Sequence, residues 1–198
     1  MINPIKKYKT ENKRDILNFI TMRFATHKDD LLLGNFLIQV FDEKQKEKIP
    51  SYSDSDERLR DLLNVSERRR EGVVLIYELG HEIVATFSLI HPQSSINDSW
   101  LPNSAMLRCV AVGKDFQGIQ ITKYILEEVE NLSLQYNADY TCLHVFEMAP
   151  QVGNVYERNG FIRDKRGDTI SNGKSILGFS REVPKESNLM PIYQANLQ

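Results

Sequence analysis

Residues 110–130 read VAVGKDFQGIQITKYILEEVE, and the change of pattern within them decides the fold. Val110, Ala111 and Val112 close an apolar run that begins at Ala105 and has the look of a buried strand. From Ile121 the apolar residues recur at Ile125, Val129, Leu132 and Tyr136, at spacings of four, four, three and four, which lays one stripe along a helix read over 118–136. Lys123, Glu127, Glu128 and Glu130 are then expected to face water. A helix that directly follows a strand starts at the carboxyl edge of a sheet, where α/β proteins bind ligands. Its first turn carries unpaired N–H groups and a partial positive charge, so an anion can sit there if side chains do not block it. Gly118 opens that approach, Thr122 adds a hydroxyl, and Gln117 is a neutral donor. Gln117, Gly118, Ile119, Gln120, Ile121 and Thr122 thus read as a seat for a pyrophosphate. The residues alone also allow a plainer reading, in which Gly118 lets strand and helix meet closely and Gln117 is a cap. The stretch is neither a Walker loop, since no Gly-Lys-Ser/Thr follows, nor a dinucleotide fingerprint, since one glycine of three is present.

Outward from this stretch, the chain shows no repeat and no low-complexity segment. Residues 11–26 read as a helix with Ile16, Ile20 and Phe24 on one face and Asn12 as its cap. Residues 29–47 read as a second helix, with the stripe Leu32, Phe36, Val40 widened by Leu33, Leu37 and Phe41. Ser51 to Ser55 is read as a loop, and 56–70 as a third helix with Leu59, Leu62 and Leu63 inward. Strands follow at 73–77 and 82–90, joined by Glu78-Leu79-Gly80-His81 and apolar on both faces, as in a covered sheet. A polar loop spans 91–104, in which Trp100 and Leu101 are read as anchors. Beyond the central helix come a strand at 140–146, a short helix at 150–159 ending at Asn159-Gly160, a strand from 161, a turn over 164–174 and a last strand at 175–183. The strand–helix–strand unit implies a parallel pair with a right-handed crossover. The fold class expected is α/β, a mixed and partly antiparallel central sheet with helices on both faces. One domain is expected over 1–183, with 184–198 a tail.

Composition narrows the partners. The chain of 198 residues is 41% hydrophobic, enough for a proper core, with net charge −2 and pI near 6.1. Nucleic-acid binders carry a basic excess that is missing here. Arg68-Arg69-Arg70 is flanked by acids and is expected to be a solvated face. Cys109 and Cys142 lie in apolar runs and read as buried free thiols. No apolar run approaches the ~20 residues of a membrane span, and the first ten residues lack the apolar stretch of a secretion signal, so a cytoplasmic location is expected.

The order of elements and the turn at 117–122 resemble the GNAT superfamily of CoA-dependent N-acyltransferases. In that family an Arg/Gln-Gly-x-Gly-x-Gly/Ala turn follows the strand after four residues. Here Val112 is followed, after GKDF, by Gln117-Gly118-Ile119-Gln120-Ile121-Thr122. VYERNGF at 155–161 resembles the family's ending of its fourth helix, and ELGHEIVATFSL at 78–89 its hairpin, with Ala85 where glycine is usual. The matches span about residues 73–163. The departures are Gln120 at the second glycine, Thr122 at the third small residue, and Ala149 where the family often has Asn seven residues before the tyrosine. Asn154 is the nearby asparagine. Taken as part of a helical first turn, Gln120 is expected to need no positive φ.

The resemblance implies acyl transfer from acetyl-CoA or another acyl-CoA, without a metal, to a primary amine of a small molecule or peptide by direct attack. It implies that the backbone of Val110, Ala111 and Val112, on a strand that splays from its neighbour, meets the acyl carbonyl and pantetheine. It places Tyr156 near the sulfur, where a phenol of pKa about 10 can give the leaving thiolate a proton. Gln117, Gly118, Ile119, Gln120, Ile121, Thr122, Asn154 and Tyr156 complete the cofactor contacts so implied. No general base is singled out among Glu147, His144, Glu78, His81 and Glu82, and a water relay serves as well. The alternative is a GNAT-fold module that binds acyl-CoA or a partner without transfer. A monomer or homodimer, without nucleic acid or membrane as partner, is expected.

Overall fold

The computed structural model describes residues 15–46, 55–171 and 173–185. Among these lie strands β1 (Ile20–Phe24), β2 (Gly72–Leu79), β3 (Glu82–Ile90), β4 (Ser104–Val112), β5 (Tyr140–Phe146), β6 (Ile162–Arg163), β7 (Thr169–Ser171) and β8 (Lys174–Glu182). The helices are α1 (Asp30–Lys46), α2 (Asp56–Leu63), α3 (Val65–Arg70), α4 (Ile121–Gln135) and α5 (Pro150–Arg158), with 3₁₀ turns at Asp15–Phe19, Lys114–Phe116 and Lys165–Gly167. The strands form one mixed sheet in the order β1-β2-β3-β4-β5-β8-β6, with β7 also on β8. The α/β class and partly antiparallel sheet agree with the sequence reading. Asn12 as a cap, the loop over 51–54, and the tail from 186 lie outside the described residues.

Two compact units are distinguished: Met1–Ser88 with Cys109–Tyr124, and Leu89–Arg108 with Ile125–Gln198. In the first, the described part of the segment read as a helix over 11–26 is instead a 3₁₀ turn (Asp15–Phe19) followed by β1, which pairs antiparallel with β2 from Ile20↔Leu79 to Phe24↔Leu75. Ile16, Ile20 and Phe24 have helical spacing, but Ile20, Met22 and Phe24 alternate equally well. The pairing partner and an ion-pair fork decide in favour of the strand. Arg23 donates to both carboxylate oxygens of Asp29 at 2.9 and 2.8 Å and to both of Glu78 at 3.0 and 2.8 Å. Asp29 also accepts from the Thr26 N–H and hydroxyl, and its carboxyl is held well below the usual range, chiefly by Arg23.

The core of this unit gathers Leu33, Leu37 and Val40 of α1, Leu62 and Val65, and Val74, Ile76, Ile83 and Ala111 of the strands. The helix expected over 56–70 is broken at Asn64 into α2 and α3. Ser55 caps α2 by accepting from the Arg58 N–H, and of the three leucines read as inward, Leu62 is buried while Leu63 is 43% exposed. The arginine run is not a solvated face. Arg68 is buried and donates to the carbonyls of Asp61 and Leu62, satisfying the open carbonyl end of α2. Arg69 reaches across the sequence to Asp30 at the start of α1, at 3.2 and 3.0 Å.

In the second unit β4 pairs parallel with β5 from Ser104↔Tyr140 to Leu107↔Leu143, as the strand–helix–strand unit requires. β5 pairs antiparallel with β8 along its whole length, and β6 and β7 both pair with β8. The segment expected as a plain turn over 164–174 thus contains a 3₁₀ turn and β7. Trp100 is an anchor, as expected: its indole N–H donates to Asp164 at 2.8 Å and its ring stacks on His144 at 5.2 Å. Ile125, Val129 and Leu132 of α4 are buried as the stripe predicts. Glu128, expected to face water, is 2% exposed. Burial raises its carboxyl above the ordinary value, tempered by a hydrogen bond from Asn131, and its Oε1 has no partner. Among the described residues no helix is long and apolar enough to cross a membrane.

Candidate functional site

The stretch from Cys109 to Tyr124 lies wholly in the first unit. Within β4, Cys109 stands at φ +53, a left-handed conformation that L side chains seldom take. An L residue at such an angle marks a local irregularity in the run of β4. Arg108, Cys109 and Val110 are half-buried in a strand whose other residues are buried, Ala111 and Val112 among them. Cys109 packs against the core and is not fully buried, in contrast to the sequence reading. Nothing in its sequence context marks it for a positive φ.

After β4 the Gly113 N–H donates to the Val84 carbonyl at 2.9 Å, and the 3₁₀ turn Lys114–Phe116 buries Phe116. Helix α4 begins at Ile121, three residues later than the sequence reading had it. Gln120 therefore precedes the helix and stands at φ +66, which corrects the expectation that it needs no positive φ. Gly118 stands at φ +82, and a Cβ built there meets nothing within 4 Å, so the turn is open on that side. Ile119 and Ile121 are buried, at 2% and 3% exposure, which pins the turn and leaves their N–H groups as what they can offer a ligand. Thr122 is half-buried, and Gln117 and Gln120 are exposed. The Gln117 side-chain amide donates to the Val112 carbonyl at 3.4 Å, so it ties the turn back to the strand. What the stretch can do chemically is present backbone donors at the positive end of a fifteen-residue helix.

In the second unit, α5 begins with Pro150 at its first position after Ala149, which supplies no side-chain cap. Tyr156 is 7% exposed and packs edge-on against Phe161 at 5.6 Å. Burial pushes its phenol above the ordinary value, so it keeps its proton through the neutral range. Asn154 is exposed on the same helix. The helix closes at Asn159 and at Gly160, whose φ of +84 suits glycine.

His144, Cys142 and Glu78 have structural duties. His144 Nε2 bonds the Gly167 carbonyl at 2.9 Å and burial lowers its pKa, as for a satisfied core histidine. Cys142 is buried, its thiol pushed up to about 11 by burial, and neither cysteine is in a disulfide. Glu147 is exposed, and Glu78 is engaged by Arg23. Among the described residues no group of three or more His, Cys, Asp or Glu is arranged to hold a metal.

No protein-family model matches the chain, and no curated protein matches it. Solved structures do. A GNAT-family acetyltransferase from Staphylococcus aureus superposes with a TM-score of 0.66 at 18% identity, over 83% of this chain and 99% of that one. One from Listeria monocytogenes gives 0.60 at 20% identity over 82% and 94%. A spermidine N-acetyltransferase chimera of the Vibrio cholerae protein with hSSAT gives 0.56 at 16% identity over 83% and 95%. The mixed sheet with its parallel β4–β5 pair therefore defines an α/β chain, and the likeness identifies that architecture as the GNAT fold.

Proposed function

We propose that the chain transfers an acyl group, acetyl in the simplest case, from coenzyme A to a primary amine of a small molecule or peptide, by direct attack. The observation that carries this reading is the coincidence, on residues 109–122, of a left-handed residue within β4 and an open turn ahead of α4, set in a GNAT fold. The backbone of Val110, Ala111 and Val112 supplies fixed donors and acceptors for the acyl carbonyl and pantetheine amides. Such preorganised dipoles stabilise charge without reorganising during the reaction. The turn from Gln117 through Gly118, Ile119, Gln120, Ile121 and Thr122 seats the pyrophosphate on its backbone N–H groups from Gly118 onward, the Gln117 N–H being donated to the Lys114 carbonyl at 3.3 Å; the absence of any obstruction beside Gly118 fits that use. Asn154 is assigned to the cofactor by the resemblance alone. Tyr156 holds the proton that the departing thiolate needs; a thiol of pKa about 8.5 is a far better leaving group when donated to. The amine must arrive neutral, since an alkylammonium of pKa about 10.4 has no lone pair. Its proton leaves to water in this scheme, with no side chain assigned as base. An amine acceptor is supported by the spermidine-acetylating neighbour.

The test is a thermal shift with acetyl-CoA and longer acyl-CoAs, followed by thiol release across an amine panel. Ligand at about 100 times its Kd should add about 2.7 kcal/mol to stability. No shift with any acyl-CoA removes the reading. A shift without thiol release reduces it to an acyl-CoA-binding module.

A further inference from the structure

Arg181 lies near the end of β8, opposite Thr141 of β5 and two residues on from the buried Phe179. Strand alternation gives Phe179 and Arg181 one face of the sheet, and α5 packs on that face, since a Cβ at Gly153 would stand 3.1 Å from the Phe179 ring. A charge on a covered face needs partners. Arg181, whose side chain is 15% exposed, has four. Its Nη2 lies 3.2 Å from the Glu130 carboxylate and donates to the Leu126 carbonyl at 3.4 Å, both on α4. Its Nη1 donates to the Asn159 carbonyl at 3.1 Å, at the end of α5, where open carbonyls favour a cation. Its guanidinium carbon stands 4.9 Å over the Phe161 ring. The groups it holds at that end are tied in turn to Tyr156. The Tyr156 carbonyl accepts the N–H groups of Asn159 at 2.9 Å and of Phe161 at 3.1 Å. The Phe161 ring, 2% exposed, meets the Tyr156 ring edge-on. Tyr156 is therefore fastened through both its backbone and its ring to groups that Arg181 grips.

We propose that Arg181 is a positioning residue for Tyr156: by fixing the Asn159 carbonyl and the Phe161 ring, it sets where the phenol stands. The effect on turnover rests on the acyl-transfer reading, in which that phenol serves the departing thiolate; the placement of the ring does not. Lysine cannot reproduce the hold, because a single ammonium lacks the planar fork that serves Glu130, Leu126 and Asn159 together. Arg181→Lys, which keeps the charge beside Glu130, is made in the full chain alone and together with Tyr156→Phe. With 3-fluorotyrosine incorporated throughout, single Tyr→Phe variants assign the fluorine lines, and the line of Tyr156 reports its ring directly. In Arg181→Lys that line is expected to shift or broaden while those of Tyr77 and Tyr136 hold. Arg181→Lys should also lower kcat about tenfold with KM for acyl-CoA within about threefold, as for a misplaced group rather than a lost binding contact. In the Tyr156→Phe background the same change should alter kcat by less than about twofold, since the two residues act as one unit. Should the lysine variant not fold, Arg181→Met combined with Glu130→Gln leaves no buried unpaired charge and is read by the same criteria. An unmoved Tyr156 line overturns the proposal, and so does an equal fall in kcat in both backgrounds. A parent chain that releases no thiol strikes the transferase reading instead, and the fluorine line then decides the placement by itself.

Discussion

Replacing Gln120 with glycine isolates the cost of the turn ahead of α4. The residue stands at φ +66 with its side chain exposed, so the substitution removes little packing and no buried polar group. An L residue in the left-handed region costs roughly 1–2 kcal/mol, while glycine loses roughly 0.5–1 kcal/mol more backbone entropy on folding. The difference leaves Gln120→Gly more stable by about 0.5–1 kcal/mol, which in a chain of this size raises Tm by about 1–4 °C. Gln120→Ala is the control, since it trims the same side chain and retains a Cβ at positive φ. It should stay within about 0.5 kcal/mol of the parent. Urea unfolding at constant m-value, with Tm by calorimetry, measures both. If alanine stabilises as much as glycine, the gain comes from the side chain and the backbone argument fails. If glycine destabilises, the parent turn is not strained.

Gly178→Ala would place a Cβ 2.7 Å from the Gly167 Cα and 2.8 Å from the Asp164 carbonyl oxygen, backbone atoms that cannot swing aside. A loss of about 2–3 kcal/mol is expected, and an unchanged urea midpoint would show that β8 does not pack there as described. Asp29→Asn should cost about 1–2 kcal/mol at pH 7, less than a fully buried pair because Arg23 is 42% exposed. The depressed Asp29 carboxyl stabilises the fold above the unfolded value of about 3.9 and loses that contribution as pH falls through its folded value, so the gap between parent and variant should close in acid. A gap that is constant from pH 7 to pH 2 would contradict the assigned pair. Tyr156→Phe should lower kcat while leaving acyl-CoA affinity within a few-fold; unchanged turnover would strike the phenol from the mechanism.

The parts of the fold legible in sequence are those where apolar period and length agree, namely β2, β3, β5 and α4. The misread segments fail for identifiable reasons. Around Ile20 two periods coexist, and the choice rests on Arg23 pairing with Asp29 and with Glu78, fifty-five residues away. Arg68 looks like surface charge until the carbonyls at the end of α2 give it donors' work inside the protein. Glu128 sits on a polar spacing and is buried all the same, because a neighbouring Asn131 bonds it and the helix is covered on more than its apolar stripe. Of the candidate site, the strand-to-helix change around Gly118 was readable. The two non-glycine residues at positive φ, Cys109 and Gln120, were not, since neither side chain advertises a left-handed backbone.

The contrast between the two thiols has a practical outcome. Cys142 is sealed and holds its proton to about pH 11, while Cys109 is partly accessible in the middle of β4. A gentle alkylating dye at neutral pH should therefore modify one position. The untouched sequence thus carries its own handle for a fluorophore at the left-handed residue of β4, with no engineered cysteine needed.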